Sequence, residues 1–316
     1  MKSYKFSWYV LLFLVSCQSQ QQQDKTIRLS GAFALYPLVV RWSREYQQIH
    51  PDIRFDISAG GAGKGMTDAL SGTVTLGMFS RAITPEERKR GVWWIAVAKD
   101  AVIPTINAEN PLLAVLKTRG LRREEFRRIY LSGEISNWNQ LPGIHTALPI
   151  HVYTRSDACG AAGTWAAYLG GKQEEMKGIG IFGDPGLADA VIRDEKGVGF
   201  NNTIYLYNGD TGFKNAGIEI IPIDNNGNGK IDDDENFYDN LGQVLEAIAV
   251  GKYPSPPARE LYLIARGRPQ KKPVTDFLIW VVTKGQQFVS EAGYVPLSNS
   301  IIRKQVEKLN GVDGEQ

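Results

Sequence analysis

The segment with the clearest chemical signature is 224–235, whose residues follow the twelve-residue pattern of an EF-hand calcium loop. Calcium binds six to eight oxygen ligands, and such a loop needs glycine at its sixth position and a bidentate carboxylate at its twelfth. Gly229 supplies the turn, and Ile231 stands at the inward-facing eighth position. The ligand positions carry Asp224, Asn226, Asn228, Lys230 (through its carbonyl), Asp232 and Glu235. The pattern predicts a structural Ca2+ site, the alternative being a surface turn rich in Asn, Asp and Gly.

A second chemical feature is a set of three loops of small residues, 30–35, 60–65 and 158–164, each between a predicted strand and a predicted helix. The free N–H groups and the positive dipole end of a helix start can hold an anion, and small residues let the anion approach. Arg155 and Asp157 lie just before the third loop. An arginine there could bind an oxyanion through two hydrogen bonds, the alternative being an exposed Arg155–Asp157 turn pair.

Catalytic chemistry has little support in the residues. Cys159 is the candidate nucleophile, but no histidine lies in the same motif to activate it. The histidines at 50, 145 and 151 do not stand at metal-ligand spacing. Cys17 is the other cysteine, and it belongs to the N-terminal signal described below, so no intrachain disulfide framework is expected. We expect a binding protein with no catalytic residues, and not an enzyme.

The elements that must position these loops are read from the hydrophobic pattern. Leu38, Trp42, Tyr46 and Ile49 recur at spacings of four, four and three residues, which predicts an amphipathic helix over 37–49. From 53 to 78 the order strand, tight loop, helix, strand is that of a βαβ unit, so the predicted fold class is α/β. Further strands are predicted over 93–97, 102–106, 150–154, 198–200, 218–223 and 261–265, and helices over 121–130, 237–249 and 274–290. Because a strand and not a helix precedes the calcium loop, we expect one structural calcium site and not a calcium sensor.

The N-terminus has the composition of an export signal over residues 1–16. Two lysines precede a ten-residue apolar run, which is too short to span a bilayer. The run ends in Leu14-Val15-Ser16-Cys17, the form of a bacterial lipobox, which predicts cleavage after Ser16 and lipidation of Cys17. The alternative is a plain secretory peptide. The polar stretch 17–25 is predicted to be a flexible tether.

Composition and charge narrow the class of protein further. The 316 residues are 43% apolar and 22% charged, as in a folded globular protein of one large or two medium domains. Without the two lysines of the signal, 36 basic and 34 acidic residues become 34 of each. A neutral chain has no electrostatic support for binding nucleic acid.

Six stretches of the chain together resemble the phosphate-binding proteins of bacterial phosphate ABC importers, in their lipoprotein form. They are SGAFALYPLVVRWSREYQ, ISAGGAGKGM, TLGMFSRAIT, IYLSGEISNWNQL, RSDACGAAGTWAAYL and KGQQFVSEAGYVPL, in family order between residues 28 and 298. The resemblance implies a periplasmic-binding-protein fold of type II, with two α/β lobes joined by two hinge strands. It places lobe 1 at 26–103 plus 263–316 and lobe 2, which contains the calcium loop, at 104–262.

The same resemblance implies capture of phosphate, or a related oxyanion, between the lobes and delivery to an ABC importer permease. We expect a monomer held to the membrane by its lipid alone, facing the periplasm or the exterior. The implied phosphate-binding residues are Ala34, Leu35, Ala62, Ser80, Arg81, Arg155, Asp157, Cys159, Gly160 and Ala161. Two alternatives remain open: a sensor or surface lipoprotein of the same fold that transports nothing, and a binder of molybdate or tungstate.

The chain departs from the family pattern in side-chain chemistry. Hydroxyls that the family usually offers are absent at Ala34, Ala62, Cys159 and Ala161, and Ser80 stands where some members hold a proton-accepting aspartate.

Overall fold

The structure, a computed structural model, describes residues 25–312 and has the mixed α/β fold predicted from the sequence. Within this range nine strands form one sheet in the order β2-β1-β3-β9-β4-β7-β5-β6, with β8 paired to β4 beside that path. The strands are β1 (Thr26–Gly31), β2 (Arg54–Ala59), β3 (Leu76–Phe79), β4 (Val92–Asn107), β5 (His151–Arg155), β6 (Ile179–Ile181), β7 (Gly197–Asn202), β8 (Ile218–Ile220) and β9 (Ala258–Arg266).

Helices connect most of these strands and cover the sheet. They are α1 (Tyr36–Ile49), α2 (Ala62–Ser71), α3 (Pro85–Lys89), α4 (Leu113–Arg119), α5 (Arg123–Arg127), α6 (Gly160–Leu169), α7 (Asp184–Arg193), α8 (Thr203–Leu206), α9 (Leu241–Ala249), α10 (Lys272–Val282) and α11 (Asn299–Asn310). Strands β1, β2 and β3 run parallel, as the βαβ pattern predicted. None of the helices within 25–312 is long and apolar enough to cross a membrane.

Strand β4 joins the two halves of the sheet. It pairs with β9 from Val92 to Ala101 and with β7 beyond that point. The prediction of two separate strands here was wrong: one 16-residue strand runs through, with a register shift between 96 and 98. The polar residue that interrupts the apolar pattern, Asp100, lies opposite Arg259 of β9 and is bound by its guanidinium. Because this pairing neutralises the buried charge, the strand continues through the interior.

Two groups of buried side chains form separate cores on either side of this junction. The first core takes residues from β1, β3, the first part of β4, α1 and α10, and includes Trp42, whose indole N–H donates to the Gly285 carbonyl at 2.8 Å. The second core takes residues from the rest of β4, β7, α6, α7 and α9, and includes Trp165. Each half therefore has its own apolar interior, and the candidate anion loops lie where the two halves meet.

Three predicted helices have different bounds in the structure. The helix predicted over 274–290 ends at Val282, and a 3₁₀ turn follows over Lys284–Phe288, because Thr283 leaves the helical conformation. The helix predicted over 121–130 is confined to α5 and is followed by a π turn. The helix predicted from 237 begins at Leu241, where the side chain of Asn240 accepts the N–H of Gln243 at 3.0 Å. The start at Leu241 is therefore set by a side-chain N-cap.

The signal peptide (1–16), the lipidation site Cys17 and nearly all of the tether lie outside the described residues. These predictions therefore stand as predictions.

Candidate functional site

The first two small-residue loops lie side by side at one edge of the sheet. Strands β1 and β2 are adjacent and parallel, so the loops that follow them meet, and the N–H groups of Gly60 and Gly61 both donate to the Gly31 carbonyl at 2.9 and 3.0 Å. Helix α1 starts after Leu35 and α2 after Gly61, both without a side-chain cap within the described chain. At α1 the Tyr36 N–H donates to the Ala32 and Phe33 carbonyls and Pro37 has no N–H, so the start of α2 is the one with an N–H group, that of Ala62, left for another partner.

The third loop packs directly on the second. The Gly63 N–H donates to the Ala158 carbonyl at 2.9 Å, and a β-carbon added to Gly63 would lie 2.7 Å from that of Ala158. Gly160 at the start of α6 touches Ser80, whose backbone and hydroxyl oxygens occupy the space that a β-carbon on Gly160 would need. The predicted residues buried at this junction are Ala34, Leu35, Ala62, Ser80, Cys159, Gly160 and Ala161. The structure thus brings together residues from four separate segments.

Arg155 is a permanent positive charge at the junction, and its side chain is fully buried. Its Nε and Nη2 donate to the two carboxylate oxygens of Asp157 at 2.9 and 2.7 Å, so the pair is not the exposed turn pair of the alternative interpretation. Its Nη1 lies 2.6 Å from Asp184 Oδ2, yet no acceptor within residues 25–312 meets hydrogen-bond geometry with this buried atom. The ring of Phe33, from the first loop, covers the guanidinium at 5.7 Å. The two carboxylates of Asp157 and Asp184 therefore compensate the buried guanidinium charge.

Cys159 acts as the N-cap of α6. Its Sγ accepts the N–H of Ala162 at 3.2 Å, in the role that a hydroxyl usually has at a helix start. Burial raises the pKa of the thiol to about 12, with Arg155 opposing the rise. The thiol therefore stays protonated near neutral pH and is a poor nucleophile.

The Arg81 side chain pairs with a carboxylate outside the three loops. Its guanidinium binds the Glu87 carboxylate through two hydrogen bonds of 3.0 and 2.7 Å and stacks on Phe79 at 4.6 Å. It lines a cleft of about 1000 Å³ beside the junction, which Cys159 and Arg259 also line. The positive charge of Arg81 is therefore neutralised by Glu87.

Sequence reasoning missed a buried polar network behind Arg155. Asn202 donates to Asp184 and accepts from Arg259, and Arg259 binds both oxygens of Asp100 at 2.8 and 3.0 Å. A further donor of Arg259 reaches the Thr164 hydroxyl of α6 at 3.2 Å. These residues come from five elements that are distant in the chain, and no local spacing relates them. The one available signal was the Gly183-Asp184-Pro185 helix start, which predicts a cap and not a partner for an arginine.

Comparison with known proteins decides the family. The model of the PBP superfamily domain matches residues 17–284. The chain belongs to the PBP superfamily. The phosphate-binding protein PstS of Xylella fastidiosa is 26% identical, over 90% of this chain and 85% of its own. PstS of Pseudomonas aeruginosa is 24% identical, over 88% and 85%.

Solved structures give the same result for the fold of this PBP-superfamily chain. A putative phosphate ABC transporter substrate-binding protein from Clostridium perfringens, solved with bound phosphate, superposes with a TM-score of 0.70 at 19% identity, over 86% of this chain and 100% of that one. An ABC-type phosphate transport receptor from Vibrio cholerae gives 0.63 at 18% identity, over 86% and 100%. The resemblance to phosphate-binding proteins is confirmed, and the family is one of extracytoplasmic solute-binding proteins and not of enzymes.

In the predicted calcium loop of this PBP-superfamily chain, two carboxylates accept hydrogen bonds from backbone N–H groups of the same loop. The Asp224 carboxylate, which is buried, accepts the N–H groups of Gly227 and Gly229 at 2.7 and 2.9 Å. Glu235, also buried, accepts those of Asn225 and Asn226 at 2.9 and 3.0 Å. These hydrogen bonds hold Asp224 and Glu235, the first and last predicted ligands, against the backbone of the same loop.

The remaining ligand positions also converge. The side-chain amides of Asn226 and Asn228 both donate to Asp232 Oδ2, and Lys230 pairs with the other oxygen of Asp232 at 2.6 Å. Ile231 packs against Gly120 of the α4–α5 connection, which anchors the loop. Across residues 25–312 no three side chains of His, Cys, Asp and Glu type are gathered into a metal cluster, since here carboxylates alternate with amides.

Proposed function

We propose that this chain is the phosphate-binding receptor of an ABC importer. The observation that carries the proposal is the fully buried Arg155 guanidinium at the point where three loops and three helix starts meet. A tetrahedral oxyanion supplies the acceptor oxygens that such a site needs. The names of the PstS relatives, and the phosphate in the C. perfringens structure, support phosphate as that anion.

Backbone N–H groups would carry most of the remaining recognition. Hydroxyls are absent at Ala34, Ala62, Cys159 and Ala161, and each hydrogen bond to a charged partner contributes about 1.5–3 kcal/mol. The starts of α2 and α6 offer N–H groups in their place. We infer that closure of lobe 1 (26–103 plus 263–316) on lobe 2 (104–262) completes the site and that opening releases the anion to a permease.

The predicted location also belongs to this proposal. A lipid on Cys17 would tether the protein to the outer face of a membrane through residues 17–25, as a monomer. Cleavage after Ser16 places the first described strand, which begins at Thr26, nine residues beyond the lipidated cysteine. A tether of this length and composition leaves the receptor free to reorient toward a permease.

We further propose that the 224–235 loop binds one structural Ca2+ ion. The donor set fits a hard cation, because Asp224, Asn226, Asn228, Asp232 and Glu235 all present oxygen atoms to the same turn. Carbonyl oxygens of the two asparagines would replace their amide donors at Asp232 on binding. The ion would stiffen the connection between β8 and α9 and would take no part in anion binding.

The test is isothermal titration calorimetry of a soluble form that starts at Asp24 and has been stripped of anion, with calcium present. Phosphate is titrated first, then sulfate, then tungstate. We expect micromolar or tighter phosphate binding that is lost in Arg155→Ala and weakened in Arg155→Lys, which keeps the charge without the fork. If the folded protein gives no heat with phosphate, phosphate uptake is refuted. Tight tungstate binding alone would assign another oxyanion.

A further inference from the structure

The end of the sheet opposite the first two anion loops carries a dense group of exposed cationic side chains. Strands β1, β2, β3 and β4 begin at this end and β9 finishes there, because β9 runs antiparallel to both β3 and β4. The exposed cations at these strand ends form what we call the basic face: Lys25, Arg28, Arg54, Arg90, Arg266 and Arg268. The start of α10, which follows β9, adds Lys271 and Lys272, both exposed.

Few carboxylates offset the charge of the basic face. Those at this end of the sheet are Asp52, Asp56 and Asp276. Asp52 and Asp276 each pair with one lysine of the face, at 3.1 and 2.8 Å. Within residues 25–312 no carboxylate forms an ion pair with Arg28, Arg90 or Arg266. The face therefore has an excess of about five positive charges, although the chain from residue 17 onward has equal numbers of basic and acidic residues.

The chain enters the fold at this same face. Strand β1 begins at Thr26, and the carbonyl of Lys25 accepts the N–H of Arg54 at 3.0 Å. The predicted lipidation site, Cys17, precedes Thr26 by nine residues. A flexible segment of that length has a root-mean-square span of about 15–18 Å. A lipid on Cys17 would therefore hold the basic face near the membrane surface.

We propose that the basic face binds the anionic phospholipid headgroups of the membrane that carries the tether. The inference rests on the proposed lipid anchor and adds a second attachment to it, whereas the sequence led us to expect attachment by the lipid alone. Each Lys or Arg close to an anionic surface strengthens binding about fivefold. Guanidinium groups, which supply most of this face, match the geometry of phosphate oxygens.

Contact through the basic face fixes the orientation of the protein on the membrane. The first two anion loops follow the other ends of β1 and β2, and Thr26 to Gly31 spans about 17 Å at about 3.3 Å per residue. Held in this way, the anion site faces away from the headgroups, where it can capture an anion. Delivery to a permease then requires release of the face. Release is feasible because exposed charges are screened within about 10 Å in salt solution.

The test is co-sedimentation of the soluble form that starts at Asp24 with lipid vesicles. This form carries no lipid, and every described residue is retained, so that binding reports on the protein surface alone. One set of vesicles is phosphatidylcholine, and the other contains about 30% phosphatidylglycerol, which is anionic. At about 50 mM salt we expect binding to the anionic vesicles to be at least about ten times stronger, and to be lost at about 0.5 M salt.

A pair of double variants locates the binding surface. Arg90→Gln with Arg266→Gln removes two exposed charges of the basic face and should weaken binding to anionic vesicles by about 25-fold. The control, Lys177→Gln with Lys252→Gln, removes two exposed positive charges from the half that holds the second core. It should bind the vesicles within about threefold of wild type. Both double variants should bind phosphate like the wild type, because none of the four residues lies at the three loops.

The outcomes separate this inference from the proposed function. Equal binding to neutral and anionic vesicles, or equal losses in the two double variants, overturns the inference and leaves phosphate capture standing. Displacement of the wild type from the vesicles by inorganic phosphate would mean that the anion site holds the headgroups, and it would also overturn the inference. A protein that binds the anionic vesicles through the basic face but gives no heat with phosphate supports the inference and refutes phosphate capture.

Discussion

Replacing Gly160 by alanine tests whether contact between the two sides of the site is needed for anion binding. A β-carbon on Gly160 would lie 2.6 Å from the carbonyl carbon of Ser80 and closer still to both oxygens of that residue, whereas real β-carbons keep more than 3.0 Å. Since carbon atoms pack at about 3.5–4.0 Å, the third loop must retreat by about 1 Å. That shift breaks the hydrogen bond between Gly63 and Ala158, now 2.9 Å long.

The expected loss of affinity follows from the contacts that the shift removes. The Gly63–Ala158 hydrogen bond contributes about 0.5–1.5 kcal/mol, and one hydrogen bond to the charged ligand about 1.5–3 kcal/mol. Together they amount to about 2–4 kcal/mol, or phosphate binding about 30 to 1000 times weaker. Overpacking against the Ser80 backbone should also lower stability by about 1–3 kcal/mol, partly offset by the helix propensity of alanine, which exceeds that of glycine by up to about 1 kcal/mol.

The assay is phosphate calorimetry combined with thermal unfolding of wild type, Gly160→Ala and Gly163→Ala. Gly163 lies one turn along the same helix, where a β-carbon meets only the flexible Arg81 side chain, at 3.3 Å. We expect Gly163→Ala to bind phosphate and to unfold like the wild type, and Gly160→Ala to stay folded with a lower unfolding temperature and weaker phosphate binding. Phosphate affinity within about threefold of wild type in Gly160→Ala would refute the argument that contact at Ser80 closes the site.

Two further predictions concern parts of the chain outside the anion site. Calcium at 100 times its Kd should raise the free energy of unfolding of the wild type by about 2.7 kcal/mol. Glu235→Gln should abolish that gain, whereas the control Asp233→Asn, which removes the same charge at a non-ligand position, should retain it. An equal calcium-dependent rise in Tm for both variants would contradict the assignment. Burial works to raise the pKa of Glu125, but hydrogen bonds from Arg119 and from the Arg122 N–H and side chain hold it below its usual value. Its contribution is therefore present above the unfolded pKa of about 4.3 and is lost as pH falls through the folded pKa. Urea unfolding should show Glu125→Gln about 2–3 kcal/mol less stable at pH 7, with the difference shrinking at acid pH, and a pH-independent difference would be contrary to this reasoning.

Much of the fold is encoded in local patterns of the sequence. The apolar stripe of Leu38, Trp42 and Tyr46 specifies α1 because a helix repeats every 3.6 residues, and all three side chains are buried against the first core. Small residues between a strand and the next helix specify each of the three loops, and this signal too is contained in a few consecutive residues. The α/β class, the positions of the anion loops and the Arg155–Asp157 pair were therefore predictable, since each depends on residues close together in the chain.

The partners of the buried charges were decided by the tertiary structure alone. Asp100 and Arg259 are 159 residues apart and meet because β4 and β9 pair in one register. Asp184 reaches Arg155 only when α7 packs beside β5, and Gly160 reaches Ser80 only when the two halves of the sheet meet. A buried charge requires a partner, but any of many residues could satisfy that need, and strand register and helix packing choose among them. The sequence by itself therefore determined where an anion could bind, while only the tertiary structure decided which charges surround it.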